Sequence, residues 1–149
     1  MFNKEKGFTL IELLVVIAVI GILSTVVLVS LAGVREDARD SRRMSDLNQI
    51  NLAMELYNTA TGTYIDTDPG VNTLSAIGDY LAVVPHDPTD SGSYQYTWLE
   101  GTTAYYCVYA LLEGTDSTTY YCASNKGTAL EATNTIPDIN DCCNFDVND

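Results

Sequence analysis

A single carboxylate, Glu12, stands inside the otherwise apolar run of residues 8–23, and its chemistry demands an explanation. An ionised carboxylate near the middle of a bilayer costs about 2 to 3 kcal/mol or more, and less toward the interface. It therefore needs either water at the headgroup level or a cation brought to it inside an assembly. The other reactive side chains lie far along the chain. Cys107, Cys122, Cys142 and Cys143 all fall in the last third. They form no spaced Cys-x-x-Cys pair and His86 is the one imidazole, so disulfides formed outside the cytosol fit better than zinc ligation. His86 sits between Pro85 and Pro88 with no Ser or Cys partner nearby in sequence, which points to a structural role rather than general base catalysis. The glycines form no phosphate-cradling loop, so the sequence predicts no enzyme. Asp138, Asp141 and Asp146 in the tail offer oxygen ligands for Ca²⁺ but lack the EF-hand spacing, and the plainer expectation is a solvated tail with no metal or cofactor.

The elements that must hold these residues follow from composition and period. With 149 residues the chain suits one compact domain plus an appended segment. Twenty acidic residues stand against seven basic ones, and beyond Met44 the only formally positive side chain is Lys126. That imbalance excludes nucleic acid as a main partner, because such binding rests on neutralising phosphates, and it suits the soluble surface of an exported domain. Residues 13–34 carry no charge, a length sufficient for a helix to cross the hydrocarbon of a bilayer. Lys4 and Lys6 resemble the positive region of a secretory signal. The apolar stretch is too long for one, however, and no small-x-small cleavage signature is followed at once by polar sequence.

The string Lys6-Gly7-Phe8-Thr9-Leu10-Ile11-Glu12-Leu13-Leu14-Val15-Val16-Ile17 resembles the class III signal of the type IV pilin and pseudopilin family. The match is specific and covers about the first three dozen residues. The resemblance implies that a prepilin peptidase cuts directly after Gly7, that Phe8 becomes the N-methylated chain end, and that the membrane helix is retained. The cut would remove Lys4 and Lys6 and expose an α-amine four residues from Glu12. In the family, the matching glutamate pairs with the N-terminal amine of a neighbouring subunit. A buried pair of that kind specifies register more surely than it adds stability. Further partners implied are other copies of the chain, an inner-membrane assembly platform and membrane lipid. Arg35, Arg39, Arg42 and Arg43 outnumber Lys4 and Lys6, so the positive-inside rule would put the C-terminus in the cytoplasm. Cysteine usage and the resemblance place the larger domain outside instead, with the N-terminus cytoplasmic and the filament on the cell surface or in the periplasm.

Beyond the charged residues 35–43, Leu47, Ile50, Met54 and Tyr57 fall on one helical stripe. One continuous helix over residues 8–58 is expected, and the chain divides into a leader at 1–7, a membrane and polymerisation half at 8–34 and an amphipathic continuation at 35–60. The four arginines are expected to form a solvated neck, with contacts to lipid phosphates or to packed subunits as the alternatives. Gly62 supplies a stop signal near residues 60–62. Residues 63–88 read as a loop with a short helical turn around 74–81, and Pro85-His86-Asp87-Pro88 is similar to the segment that precedes the sheet in many pilins.

Three strands are expected at 93–99, 104–112 and 118–124, with the last two joined by a two-residue turn at Gly114-Thr115. That register sets Cys107 opposite Cys122, where a cross-strand disulfide is plausible. The vicinal Cys142 and Cys143 are poor partners for each other, and both could instead tie the tail to the sheet, so the pairing stays open. The tyrosines are expected to pack on the strands with wet hydroxyls. The fold class expected is α+β: a pilin-like fold in which a long N-terminal helix, transmembrane and then amphipathic, packs on a small antiparallel β-sheet, with residues 61–149 as the globular part. The function expected is that of a prepilin polymerised into a type IV pilus-like filament. The rivals are the major pseudopilin of a type II secretion system and a membrane-tethered binding domain or enzyme that does not assemble.

Overall fold

The structure is a computed structural model and describes residues 7–71, 74–114, 119–132, 137 and 142–143. By internal contacts it divides into two units, Met1–Arg35 and Glu36–Asp149. The order of elements is α1 (Leu10–Thr61), β1 (Gly70–Val71), β2 (Thr97–Trp98), β3 (Cys107–Leu111), β4 (Thr119–Ser124) and β5 (Gly127–Ala132). The α+β class is as expected.

The first helical residue is Leu10, because Thr9 caps α1 and leaves Phe8 outside it. At the other end Gly62 takes a positive φ of 80°, and its N–H donates to the Asn58 carbonyl at 2.7 Å. This is the αL cap that only a residue without a Cβ adopts at no cost, and it ends α1 where the sequence stop signal lies.

Within the unit from Glu36 onward, the five strands form one antiparallel sheet in the order β1-β2-β3-β4-β5. The sheet has two more strands than expected. β1 and β5 lie outside the expected set, and only Thr97 and Trp98 of the segment 93–99 pair as a strand. The face toward α1 carries Trp98, Tyr106, Val108, Ala110 and Ala123, closing over Leu47, Ile50, Ala53 and Met54. The predicted stripe is therefore the core, with Leu47, Ile50 and Met54 all fully buried. Burying each side chain of this size contributes roughly 1.5 to 3 kcal/mol.

The tyrosine hydroxyls differ from expectation. Tyr96 donates to Asp46 Oδ2 at 2.8 Å, and the Tyr106 hydroxyl accepts from Asn51 Nδ2 at 2.7 Å. These rings are too deep for water to reach, so the helix supplies polar partners in its place. Burial raises the pKa of both phenols, and the Asp46 carboxylate adds to the rise at Tyr96. The turn expected around 74–81 is not helical. It is closed by the bridge between Ile77 and Leu81 over Gly78, whose φ is 48°.

Candidate assembly site and the buried arginine

Glu12 is placed by a capping box. Thr9 Oγ1 and the Thr9 N–H both donate to Glu12 Oε2, at 2.6 and 2.9 Å, and the Glu12 N–H donates to Thr9 Oγ1 at 3.4 Å. Thr-x-x-Glu ahead of an apolar run is the sequence signature of this motif, and it satisfies two backbone donors reciprocally. The carboxylate therefore sits over the open N-terminal turn of α1, close to Phe8. Along this unit Leu10, Ile11, Leu14, Ile17, Ile22 and Leu23 are each at least 60% exposed, and the helix is by length and composition long and apolar enough to cross a membrane, its most apolar window lying open among the described residues. Gly7 and Phe8 lie outside the helix.

The neck arginines depart most from expectation. Arg43 is fully buried, one turn before Leu47 on the core stripe. Its Nε and Nη2 form a two-pronged contact with Asp87 at 2.6 and 2.9 Å, Nη1 donates to Asp40 at 2.6 Å, and Nη2 reaches Glu113 at 2.6 Å and Thr89 Oγ1 at 3.1 Å. The Tyr94 ring covers the guanidinium at 5.0 Å from its centroid. Arg39 forms a second two-pronged contact with Glu113. Burial opposes the Arg43 charge, but the hydrogen bonds it donates to Asp87, Glu113 and Asp40 outweigh that and raise the pKa. The Arg39 hydrogen bond, aided by Arg43 and opposed by burial, lowers the Glu113 carboxyl from its ordinary 4.5 to about 2. Asp40 also accepts the Glu113 and Gly114 N–H groups at 3.0 and 2.8 Å, which fixes the start of the β3–β4 loop to the helix. Of the four arginines, Arg35 and Arg42 are exposed as expected, with Arg42 3.7 Å from Asp46. The sequence signal was available: Asp40 and Arg43 continue the 3-4 spacing of Leu47, Ile50 and Met54 backward, so both had to face inward.

The cysteines lie on the sheet face away from α1. The β3–β4 register places Cys107 opposite Ser124 and Tyr109 opposite Cys122. The expected register, which set Cys107 opposite Cys122, is therefore corrected by a slip of two residues: Leu112 N donates to the Thr119 carbonyl at 3.0 Å, leaving six residues between them where a two-residue turn was expected. A two-residue slip keeps both sulfurs on the same face but sets them diagonally. Cys107 instead bonds Cys142 and Cys122 bonds Cys143, with Cα separations of 6.0 and 5.7 Å. Neighbouring residues of the tail are thereby bonded to neighbouring strands, and all four sulfurs are buried. The calcium candidates Asp138, Asp141 and Asp146 lie outside the described residues. His86 is exposed, with Nδ1 3.9 Å from the Asp90 carboxylate.

Residues 2–28 match the family model described as the prokaryotic N-terminal methylation motif. Over 105 residues the chain is 31% identical to the type II secretion system core protein G of Vibrio cholerae, an alignment covering 63% of this chain and 71% of that protein. The chain belongs to the type IV pilin and pseudopilin family. Core protein G of Klebsiella pneumoniae is 30% identical over 101 residues, covering 60% of this pilin-like subunit and 72% of that protein. The type IV wide pilus major component PilA4 of Thermus thermophilus is 36% identical over 72 residues, 48% of this chain and 55% of that one. Family membership carries with it N-terminal processing and self-assembly as general properties of pilin-like subunits.

Proposed function

We propose that the chain is the structural subunit of a type IV pilus-like filament, cut after Gly7 by a prepilin peptidase and polymerised through its apolar helix. The observation that carries this reading is the capped Glu12 at the head of a helix whose apolar side chains find no cover within the chain. Cleavage would place the Phe8 amine, N-methylated, beside a carboxylate that Thr9 already holds over the helix end. In the filament, neighbouring copies bury those side chains, and the amine of one copy neutralises the Glu12 of another. Before assembly the helix spans the inner membrane with its N-terminus cytoplasmic and the acidic domain outside, and the assembly platform there extracts it from the lipid. The subunit performs no catalysis and needs no cofactor.

A second reading is favoured by the relatives named core protein G: the same polymer would form the short periplasmic fibre of a secretion system. Loss of protein export without loss of surface filaments in a strain lacking the chain supports this second reading. A calcium ion held on the acidic tail would favour it as well.

N-terminal sequencing combined with the intact mass of the mature protein tests the proposal. The expected chain starts at N-methylated Phe8. An intact Met1, or a start beyond residue 31, overturns it.

A further inference from the structure

The unit from Glu36 onward keeps its cations to itself with one marked exception. Arg39 and Arg43 are committed to Glu113, Asp40 and Asp87, and Arg42 lies beside Asp46. Lys126, at the β4–β5 turn, is exposed, and among the described residues its ammonium meets no carboxylate. It is also the one lysine beyond residue 6, so a chain cut after Gly7 has no other.

At the opposite end of the same sheet, a shallow groove runs between α1 and the strands, with an apolar floor of Met44, Leu112 and Leu130. Leu130 is 58% exposed there, so it adds open apolar surface to the floor. The rim is acidic. Asp40 is consumed by Arg43 and the loop N–H groups. Asp37 is exposed and, among the described residues, has no cationic partner. Its Oδ1 rests 2.9 Å from where a Cβ on Gly114 would stand, so the glycine leaves room for the carboxylate at the lip.

An apolar floor with one free carboxylate at the lip fits a lysine side chain, whose methylene stem covers apolar surface while its ammonium reaches the acid. The chain's own Lys126 cannot fill it. The turn bearing Lys126 is held at the level of Asn51, which donates to the Ser124 carbonyl, whereas the groove lies at the level of Asp40, which accepts from Gly114. Eleven helical residues separate the two levels, roughly 16 Å at 1.5 Å per residue, more than twice the reach of a lysine.

We infer that the groove of Asp37, Met44, Leu112 and Leu130 receives Lys126 from a second copy of this chain displaced along the helix axis. The complementarity is specific to self-association: Lys126 is the one formally positive side chain beyond Met44, and among the described residues it has no carboxylate partner. The contact supplies charge-encoded register between neighbouring globular units. It rests on the assembly reading of the previous section, deepening it from the helix to the domain surface.

Zero-length carbodiimide coupling of sheared filaments, followed by peptide mass spectrometry, tests it. The reagent joins the Lys126 amine to a carboxyl as an amide and takes up the water as a urea, so every lysine cross-link reports where Lys126 sits. The expected product joins Lys126 to Asp37 between copies, and it is absent from detergent-dispersed monomers. Coupling of Lys126 to other carboxyls in intact filaments, or the same product within a monomer, overturns the contact and leaves the assembly reading standing. Failure to obtain filaments at all removes that reading and the contact with it. As a second measurement, Lys126→Glu should lower filament yield by about tenfold and Asp37→Lys in that background should restore it to within about threefold, as a direct charge pair requires. A double variant as poor as the single one also overturns the contact.

Discussion

The residues before Arg35 and the unit that begins at Glu36 treat their polar groups in opposite ways. In the first, apolar side chains stand open and, among the described residues, the hydrogen bonds of Glu12 are to its neighbour Thr9. In the second, even a guanidinium is fully enclosed, with three carboxylates and an aromatic face around it. The difference separates a segment whose partners must come from outside the chain from a unit whose buried arginine is paired within it. Apolar surface left open by one copy must be covered by lipid or by other copies, while a closed ionic cluster fixes the shape that each copy brings to its neighbours.

The contrast is broken most completely at Glu12. Glu12→Val should leave the subunit inserted and cut after Gly7 yet absent from sheared filaments, because the chain-end amine then has no carboxylate to meet. Immunoblots of sheared and membrane fractions check this, and an unchanged filament yield would refute the assembly role.

Next comes Arg43→Met, which keeps the side-chain volume but leaves Asp40, Asp87 and Glu113 facing one another without their shared cation. Removing one partner of a buried ionic cluster costs about 3 to 5 kcal/mol. Urea unfolding of the full chain in detergent, followed by tyrosine and tryptophan fluorescence, measures it, while membrane insertion stays as before.

A smaller loss is expected from Cys122→Ser with Cys143→Ser. The bond closes a separation of 21 residues, and removing it should cost about 3 kcal/mol on the chain-entropy account. Comparison of the variant with the parent by the same unfolding experiment decides it, with limited proteolysis showing whether the C-terminal residues are freed first.

The smallest effect sharpens the comparison by pH. Glu113 has a carboxyl pKa lowered from 4.5 to about 2 in the folded state, so its contribution is full above 4.5 and is lost as the pH falls toward 2. Arg39 is one-third exposed, so solvent screens part of the gain. A decline on the order of 2 kcal/mol between those pH values is expected, and Glu113→Gln should flatten it.

The membrane half was legible because its chemistry is written in adjacent residues: an uncharged stretch of sufficient length, a carboxylate within it, and a Lys-Gly-Phe junction ahead of it. The helix stop at Gly62 and the core stripe through Leu47, Ile50 and Met54 were legible for the same reason, since a local period and a single glycine decide them. The capping box of Thr9 and Glu12 was equally local, although it came to light only with the hydrogen bonds themselves. Arg43 shows where such reading fails. A run of charged residues after a membrane span suggests a wet neck, and only its register with the core stripe turns it inward.

The sequence alone determined that this chain carries a long apolar helix, a stranded acidic domain and cysteines suited to disulfides, because periodicity, charge and residue type act over a few neighbouring positions. The tertiary structure alone decided which cysteines meet, which arginine is enclosed and where Lys126 stands relative to Asp37. Each of those facts depends on strand register and on contacts between residues tens of positions apart, and a two-residue slip in the β3–β4 pairing is enough to set Cys107 and Cys122 apart.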